Sequence, residues 1–358
     1  MSVLVVGAGP TGLTAAVELA RRGVPVTLIE KRDGASNLSR AVGISAASMR
    51  IFEASGVRVP IEAEAIPFRG IVFHRGPAEV ARFPLNFDAA SRLWGLPQDR
   101  TEHHLAAAFV RLGGQVRYGA AFEGLRQDAD GVVARFGGDE ARFDHVIGAD
   151  GVRSAVRDAL GLPFPGHEVP GRWSIADVAA TGWRDPDWFS GFLLPGRDVV
   201  VVVPMAPGRF RVIASRADAL AALPVPMEVT RVNRTSDFRI SVRQAPAMRV
   251  GRVVLAGDAA HCHSPVGGRG MNLGIADAAD LARRIAGGDV AGYEAARRPV
   301  ASAVIRGSEA ARRAIQSGPA GRAALVAAMR GVAAVTPLAR ALMRRAAGGA
   351  ADGPEEGA

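Results

Sequence analysis

Residues 2–30 constrain this chain more than any other stretch. Residues 2–6 form a short, β-branched, apolar run, the pattern of a strand buried on both faces. The run leads directly into Gly7-Ala8-Gly9-Pro10-Thr11-Gly12, and a helical pattern over residues 13–22 is closed by Gly23. A second apolar strand, residues 24–29, ends in Glu30. Strand, glycine loop, helix, strand and acid together make a dinucleotide-binding unit. Gly7 permits the tight turn, Gly9 lets a pyrophosphate approach the backbone, and Gly12 lets the helix pack closely. Pro10 and Thr11 open the helix, whose free amides and partial positive charge face the phosphates. Glu30 is placed to accept hydrogen bonds from the ribose hydroxyls of an adenosine, with Lys31 beside it. The motif leaves NAD and FAD both open, and Arg32 adds a 2′-phosphate as a further candidate contact.

Two later segments bear on that choice. Over residues 143–158 a strand at 143–147 delivers Asp150-Gly151 to a turn, and a helix begins near Ser154. Over residues 252–261 another apolar strand ends in Gly257-Asp258, where an aspartate can reach a cofactor lying across the strand ends. Pro265-Val266-Gly267-Gly268-Arg269-Gly270-Met271-Asn272 then opens a long helix running to Ala286. With the glycine loop and Glu30, Asp150-Gly151 and Gly257-Asp258 in that order, residues 2–300 resemble the class A flavoprotein monooxygenases, the para-hydroxybenzoate hydroxylase group. Two intermediate segments match as well. Ser39-Arg40-Ala41-Val42 looks like the family's arginine contact to the FAD pyrophosphate, and the segment from Leu96 to Glu102 like its flavin-side glutamine segment, with Gln98.

The resemblance implies an α/β fold: a Rossmann-like, glutathione-reductase-type FAD domain, an inserted mixed β-sheet substrate domain, and C-terminal helices. The expected FAD body is discontinuous (residues 1–68, 97–165 and 250–290), the substrate sheet takes 69–96 and 166–249, and helices occupy 291–345. It also implies roles. Arg40 contacts phosphate, Gln98 and Asp258 lie near the ribityl chain, and Asp150 serves FAD and NAD(P)H binding together, unless it is simply a turn aspartate. Pro265, Gly267, Gly268, Gly270, Met271 and Asn272 lie along the isoalloxazine. The implied chemistry is NAD(P)H reduction of non-covalent FAD, capture of O2 as a C4a-hydroperoxide, and hydroxylation of an aromatic small molecule. The segment from Arg40 to Gly56 looks most like members acting on polycyclic natural products. Baeyer–Villiger oxygenation, epoxidation, double-bond reduction and an inactive flavin binder stay open as alternatives. No protein general base is assigned. A flavin halogenase needs a lysine between flavin and substrate, and the single lysine, Lys31, sits at the adenosine end.

Other features bound the reading. Substrate contacts fall in the least patterned region, where strands are expected at 70–87, 199–204, 209–215 and 238–242. Phe192, Phe210 and Phe238 are candidates for the pocket wall, with core packing as their alternative. Trp173, Trp183 and Trp188 are expected in the core. His261, Cys262 and His263 are adjacent in one loop, so their side chains do not converge on a metal. The one cysteine excludes an internal disulfide, fitting a reducing cytoplasm. Residues 3–20 are nearly all apolar, but their arginines follow rather than precede them and Glu18 interrupts them, so neither a signal peptide nor a spanning helix is expected.

The net charge is +9, from 44 basic and 35 acidic residues. The arginines lack interleaved aromatics, which argues against a nucleic-acid groove. Residues 301–345 hold eight arginines and one glutamate. A solvated helix face is expected there, with Leu338, Ala341 and Leu342 as a short apolar stripe and an anionic surface as the competing partner. The small, acidic tail 346–358 is expected to be disordered. Larger members of the resembled family continue into a thioredoxin-like domain, whereas this sequence stops.

Overall fold

The computed structural model describes residues 1–36, 41–85 and 87–348, with side chains as far as Arg344. Arg40 and the tail from 349 lie outside the described residues.

Its first layer is a six-stranded sheet in the order Arg249–Val250, Val253–Leu255, His145–Gly148, Val3–Val6, Val26–Glu30, Val116–Tyr118. All neighbours pair in parallel except Arg249–Val250, which returns antiparallel on the outer edge. Val3, Leu4 and Val5 are fully buried, as a central strand covered on both faces requires. Helix Pro10–Ala20 packs on helices Gln98–Arg111 and Gly270–Gly287. Parallel strands need crossovers, and here the carboxyl ends of Val3–Val6, Val26–Glu30, His145–Gly148 and Val253–Leu255 all reach the same edge.

The second layer is a seven-stranded sheet: Glu228–Phe238, Trp173–Thr181, Arg209–Ala214, Val199–Ala206, Trp188–Leu193, Gly70–Arg75, Ala78–Pro84. Its outer face carries one sealed cluster, including Val178, Phe192, Val200, Val202, Phe210 and Val212. Its inner face packs with Val42, Phe68 and the C-terminal helices in another. A small sheet, Gly43–Ser45, Leu93–Gly95 and Ile66–Pro67, lies where the two layers meet.

Several local expectations change. The strand read at 143–147 is two: Asp139–Phe143, in a three-stranded antiparallel sheet, and His145–Gly148 in the parallel one. The strand read at 238–242 is the junction of Glu228–Phe238 and Ser241–Gln244, which lie in different sheets. Long exposed polar alternation hid Glu228–Phe238, an edge strand.

The C-terminal part is helical over Tyr293–Ile315, Pro319–Ala334 and Thr336–Gly348. Its apolar stripe is corrected. Ala339 and Met343 are the buried pair, each 5 % exposed, while Leu338 and Leu342 are 51 % and 45 % exposed. Nor are its arginines uniformly solvated. Buried Arg322 donates to the carbonyl oxygens of Ile315, Leu194 and Asp198, and Arg344 pairs with Asp88. No single helix among the described residues is long and apolar enough to cross a membrane.

Candidate functional site

The carboxyl edge of the parallel sheet gathers the sequence motifs into one place. Gly7 sits at φ +102°, and a Cβ there would fall 2.6 Å from the carbonyl oxygen of Ala149. A Cβ at Gly12 would collide with the carbonyl oxygen of Gly7. At Gly9 the same Cβ would meet no atom of the described residues within 4 Å. So two of these glycines are required by the chain itself, whereas Gly9 faces open space. Helix Pro10–Ala20 starts there with proline in its first turn and no side-chain cap, leaving its first amides directed outward.

Glu30 is 7 % exposed and accepts from the Ala8 amide at 2.8 Å and the Arg32 amide at 3.0 Å. Burial opposes its charge, but Arg32 and the two amides outweigh that and hold the carboxyl below its ordinary range. Arg32 reaches from Glu30 toward Glu102, 3.7 Å away, whose own carboxyl is pushed up by burial. Gln98 donates to Glu102 at 2.8 Å and accepts from the Ala41 amide at 3.1 Å, so it ties the start of its helix to the segment after Arg40. Lys31 is exposed beside this group.

Asp150 braces the start of the short helix Ala155–Ala159, whose N-cap, Ser154, accepts from the Arg157 amide. It accepts from the Ser154 hydroxyl at 2.5 Å and from the Val156 amide at 3.2 Å, and burial raises its carboxyl.

Gly257 sits at φ +59°, with a would-be Cβ 2.6 Å from the Thr11 hydroxyl oxygen, and Gly274 meets the same hydroxyl from helix Gly270–Gly287. Thr11 therefore clamps the first helix, the Gly257-Asp258 turn and the later helix together. Asp258 itself is exposed. Gly267 and Gly268 take φ +94° and +62°, and helix Gly270–Gly287 begins without a side-chain cap. Pro265 is exposed and Met271 buried. Asn272 accepts from the Ser45 amide at 2.9 Å and the Ser48 hydroxyl at 2.8 Å, and donates to the Gly43 carbonyl at 3.0 Å. It joins this loop to the small sheet.

Sequence reading missed what supports the loop from beneath. Asp277 is fully buried and accepts from His261 Nε2 at 2.6 Å, the Gly257 amide at 3.2 Å and Arg297 Nε at 2.8 Å. Burial works against its charge, yet His261 and Arg297 hold the carboxyl low. An aspartate inside an apolar helical stripe was the available signal. His261 is thereby a structural residue, and buried Cys262, its thiol pushed up to about 12 by burial and Asp258, is unreactive. Also missed was a buried bidentate pair on the inner face of the large sheet, Arg211 to Asp177 at 2.7 Å through both oxygens.

The aromatic candidates separate. Phe192 and Phe210 belong to the sealed outer cluster, where Phe192 stacks on His74 with centroids 4.5 Å apart. Strand alternation turns them away from the motif edge, so they are core and not pocket wall. Phe238 packs half-buried on the inner side beside Trp173. Trp173 and Trp183 are both buried. No group of His, Cys, Asp and Glu suited to a metal occurs among the described residues.

Comparison with known proteins agrees with this geometry. The family described as an FAD binding domain matches residues 1–222 and 213–308. A rifampicin monooxygenase of Streptomyces venezuelae is 34 % identical over 85 % of this chain and 69 % of its own length. A 12-dehydrotetracycline 5-monooxygenase/anhydrotetracycline 6-monooxygenase of Streptomyces rimosus is 32 % identical over 85 % and 67 %. Among solved structures, p-nitrophenol 4-monooxygenase of Pseudomonas putida DLL-E4 superposes with TM-score 0.85 at 25 % identity, covering 95 % of this chain and 96 % of the other. The chain thus belongs to the FAD-dependent class A flavoprotein monooxygenases.

Proposed function

We propose that this monooxygenase hydroxylates a phenolic or polycyclic aromatic small molecule, with NADH or NADPH as electron donor and O2 as oxidant. The observation that carries the cofactor assignment is the open side of Gly9 beside an uncapped helix N-terminus, within a loop whose other glycines are closed by the fold itself. That cradle fits a diphosphate. Glu30, kept ionised, fits the adenosine ribose, with Arg32 sharing its oxygens. Pro10, Thr11 and Lys31 complete that end, and Arg40 is assigned to the phosphates by resemblance. Gln98 and Asp258 take the ribityl chain, and the segment from Pro265 to Asn272 takes the ring. Asp150 acts mainly by holding the Ser154 hydroxyl and the Val156 amide at the start of that helix.

When bound and reduced, FAD supplies an electrophilic oxygen derived from O2, the second oxygen atom leaving as water. The protein's share is binding, orientation and exclusion of water. The uncapped N-terminus of Gly270–Gly287 presents amides and a positive dipole end to negative charge at the ring. The apolar side chains of the inner face, partly roofed by the C-terminal helices, limit the access of water to the substrate region. The relatives named for rifampicin, tetracycline intermediates and pentachlorophenol all support an aromatic substrate.

The purified protein is expected to be yellow, to release FAD on denaturation, and to consume NAD(P)H and O2 faster when an aromatic substrate is added. A colourless, flavin-free protein overturns the reading. NAD(P)H oxidation without O2 uptake replaces hydroxylation with double-bond reduction.

A further inference from the structure

One register row crosses all seven strands of the large sheet on its inner face: Ala81, Phe73, Gly191, Val201, Ile213, Ile175 and Ser236. On the outer face Val200, Val202 and Val212 are fully buried. In this row Phe73, Val201, Ile213 and Ile175 stay only half-buried. The strip lies between two covered bands of the same face. Toward the FAD-binding edge, Gly95 backs onto Pro204, where a Cβ would fall 3.1 Å from the proline carbonyl oxygen. On the far side Arg322 ties helix Pro319–Ala334 to the carbonyls of Leu194 and Asp198. The half-buried apolar side chains thus make an incompletely covered strip between these two bands.

Gly191 stands within that strip. A Cβ there would lie 3.2 Å and 3.3 Å from Cδ1 and Cε1 of Phe73, so the ring rests over the glycine. Phe83 meets the same ring edge-on, with centroids 6.1 Å apart. We propose that Gly191 and Phe73 are the specificity-determining pair of the substrate site: the missing side chain lets the ring lie over the glycine, at one end of the row that continues through Val201, Ile213 and Ile175, and a flat, fused-ring phenol stacks along that strip. The inference rests on the hydroxylase reading above and adds which residues select the ring system. From Phe73 to Ile175 the strip crosses four strand spacings, about 19 Å. A single benzene ring would cover only a small part of that length.

The test uses the FAD-loaded enzyme and two probes, 1,8-dihydroxyanthraquinone and 4-nitrophenol, with Kd read from the flavin absorbance and FAD content measured alongside. Wild type is expected to bind the anthraquinone about tenfold more tightly. Gly191→Ala forces the Phe73 ring to move and should weaken the anthraquinone by about tenfold while leaving 4-nitrophenol and FAD content nearly unchanged. Adding Phe73→Leu to Gly191→Ala removes the conflict and should restore anthraquinone binding. Equal Kd values for wild type and Gly191→Ala overturn the proposal, as does a wild-type preference for 4-nitrophenol. FAD-loaded protein that responds to neither probe overturns it and leaves the hydroxylase reading standing; protein that holds no FAD overturns both.

Discussion

The edge proposed to hold FAD and the large sheet solve opposite problems. At the edge, backbone approaches backbone so closely that only glycine fits at Gly7 and Gly12, and charged groups are braced from below by Asp277. In the large sheet, side-chain packing does the work, and it treats the two faces differently: sealed outside, half-open within. A site that holds an invariant cofactor can be built from backbone geometry. A site that chooses a substrate must be built from interchangeable apolar side chains.

The strongest way to break that contrast is Asp277→Asn. The substitution removes a buried charge while leaving Arg297 and His261 facing it, and loss of one partner from such a network costs about 3–5 kcal/mol. Denaturant unfolding at neutral pH should show that loss, together with weaker FAD retention through the Gly257 turn. The pH dependence has a definite sign. A carboxyl held low in the folded protein contributes stability above its unfolded pKa of about 4 and loses it as pH falls through the folded value. The gap between wild type and Asp277→Asn should therefore be full at pH 7 and narrow as pH drops below about 4. A gap that widens in acid would remove Asp277 from this role.

Phe192→Ala sharpens the distinction between the two faces. Phe192 is 1 % exposed between His74 and Trp183, so its truncation should cost about 3–5 kcal/mol by leaving a cavity. Substrate affinity per folded molecule should hardly change, because the side chain lies on the sealed face. A shift in substrate preference without loss of stability would return Phe192 to the pocket wall.

The contrast also explains what could be read from the sequence. Gly7, Gly12 and Gly257 were legible because their spacing reports backbone constraints, which few other residues satisfy, and Gly9, Glu30 and Asp258 came with the same motifs. Phe192 and Phe210 were not, since alternation places an apolar residue on one face or the other, and the sequence does not say which face is sealed. Gly191 was equally hidden. A glycine inside a strand signals a close approach, but only the register across Phe73 shows to what. Asp277 was passed over because its partners, His261 and Arg297, are 16 and 20 residues away and meet it only through the packing of two helices and a loop.

Gly9→Ala carries the smallest expected effect on folding and the most direct information about the edge. Its neighbour Gly12 gives the control: a methyl there meets the Gly7 carbonyl, and the loop must open to accept it. At Gly9 no atom of the described residues lies within 4 Å of the added methyl, and its φ of −79° is one that alanine adopts freely. FAD-free Gly9→Ala protein should therefore unfold within about 0.5 kcal/mol of wild type, as substitutions clear of packed features usually do. Its affinity for FAD should nevertheless fall by about tenfold or more, because the methyl occupies the space through which a diphosphate reaches the helix amides. Retained FAD affinity in a normally stable Gly9→Ala protein would place the diphosphate elsewhere. A large loss of stability before any cofactor is bound would make Gly9 a third packing glycine and erase the difference between it and Gly12.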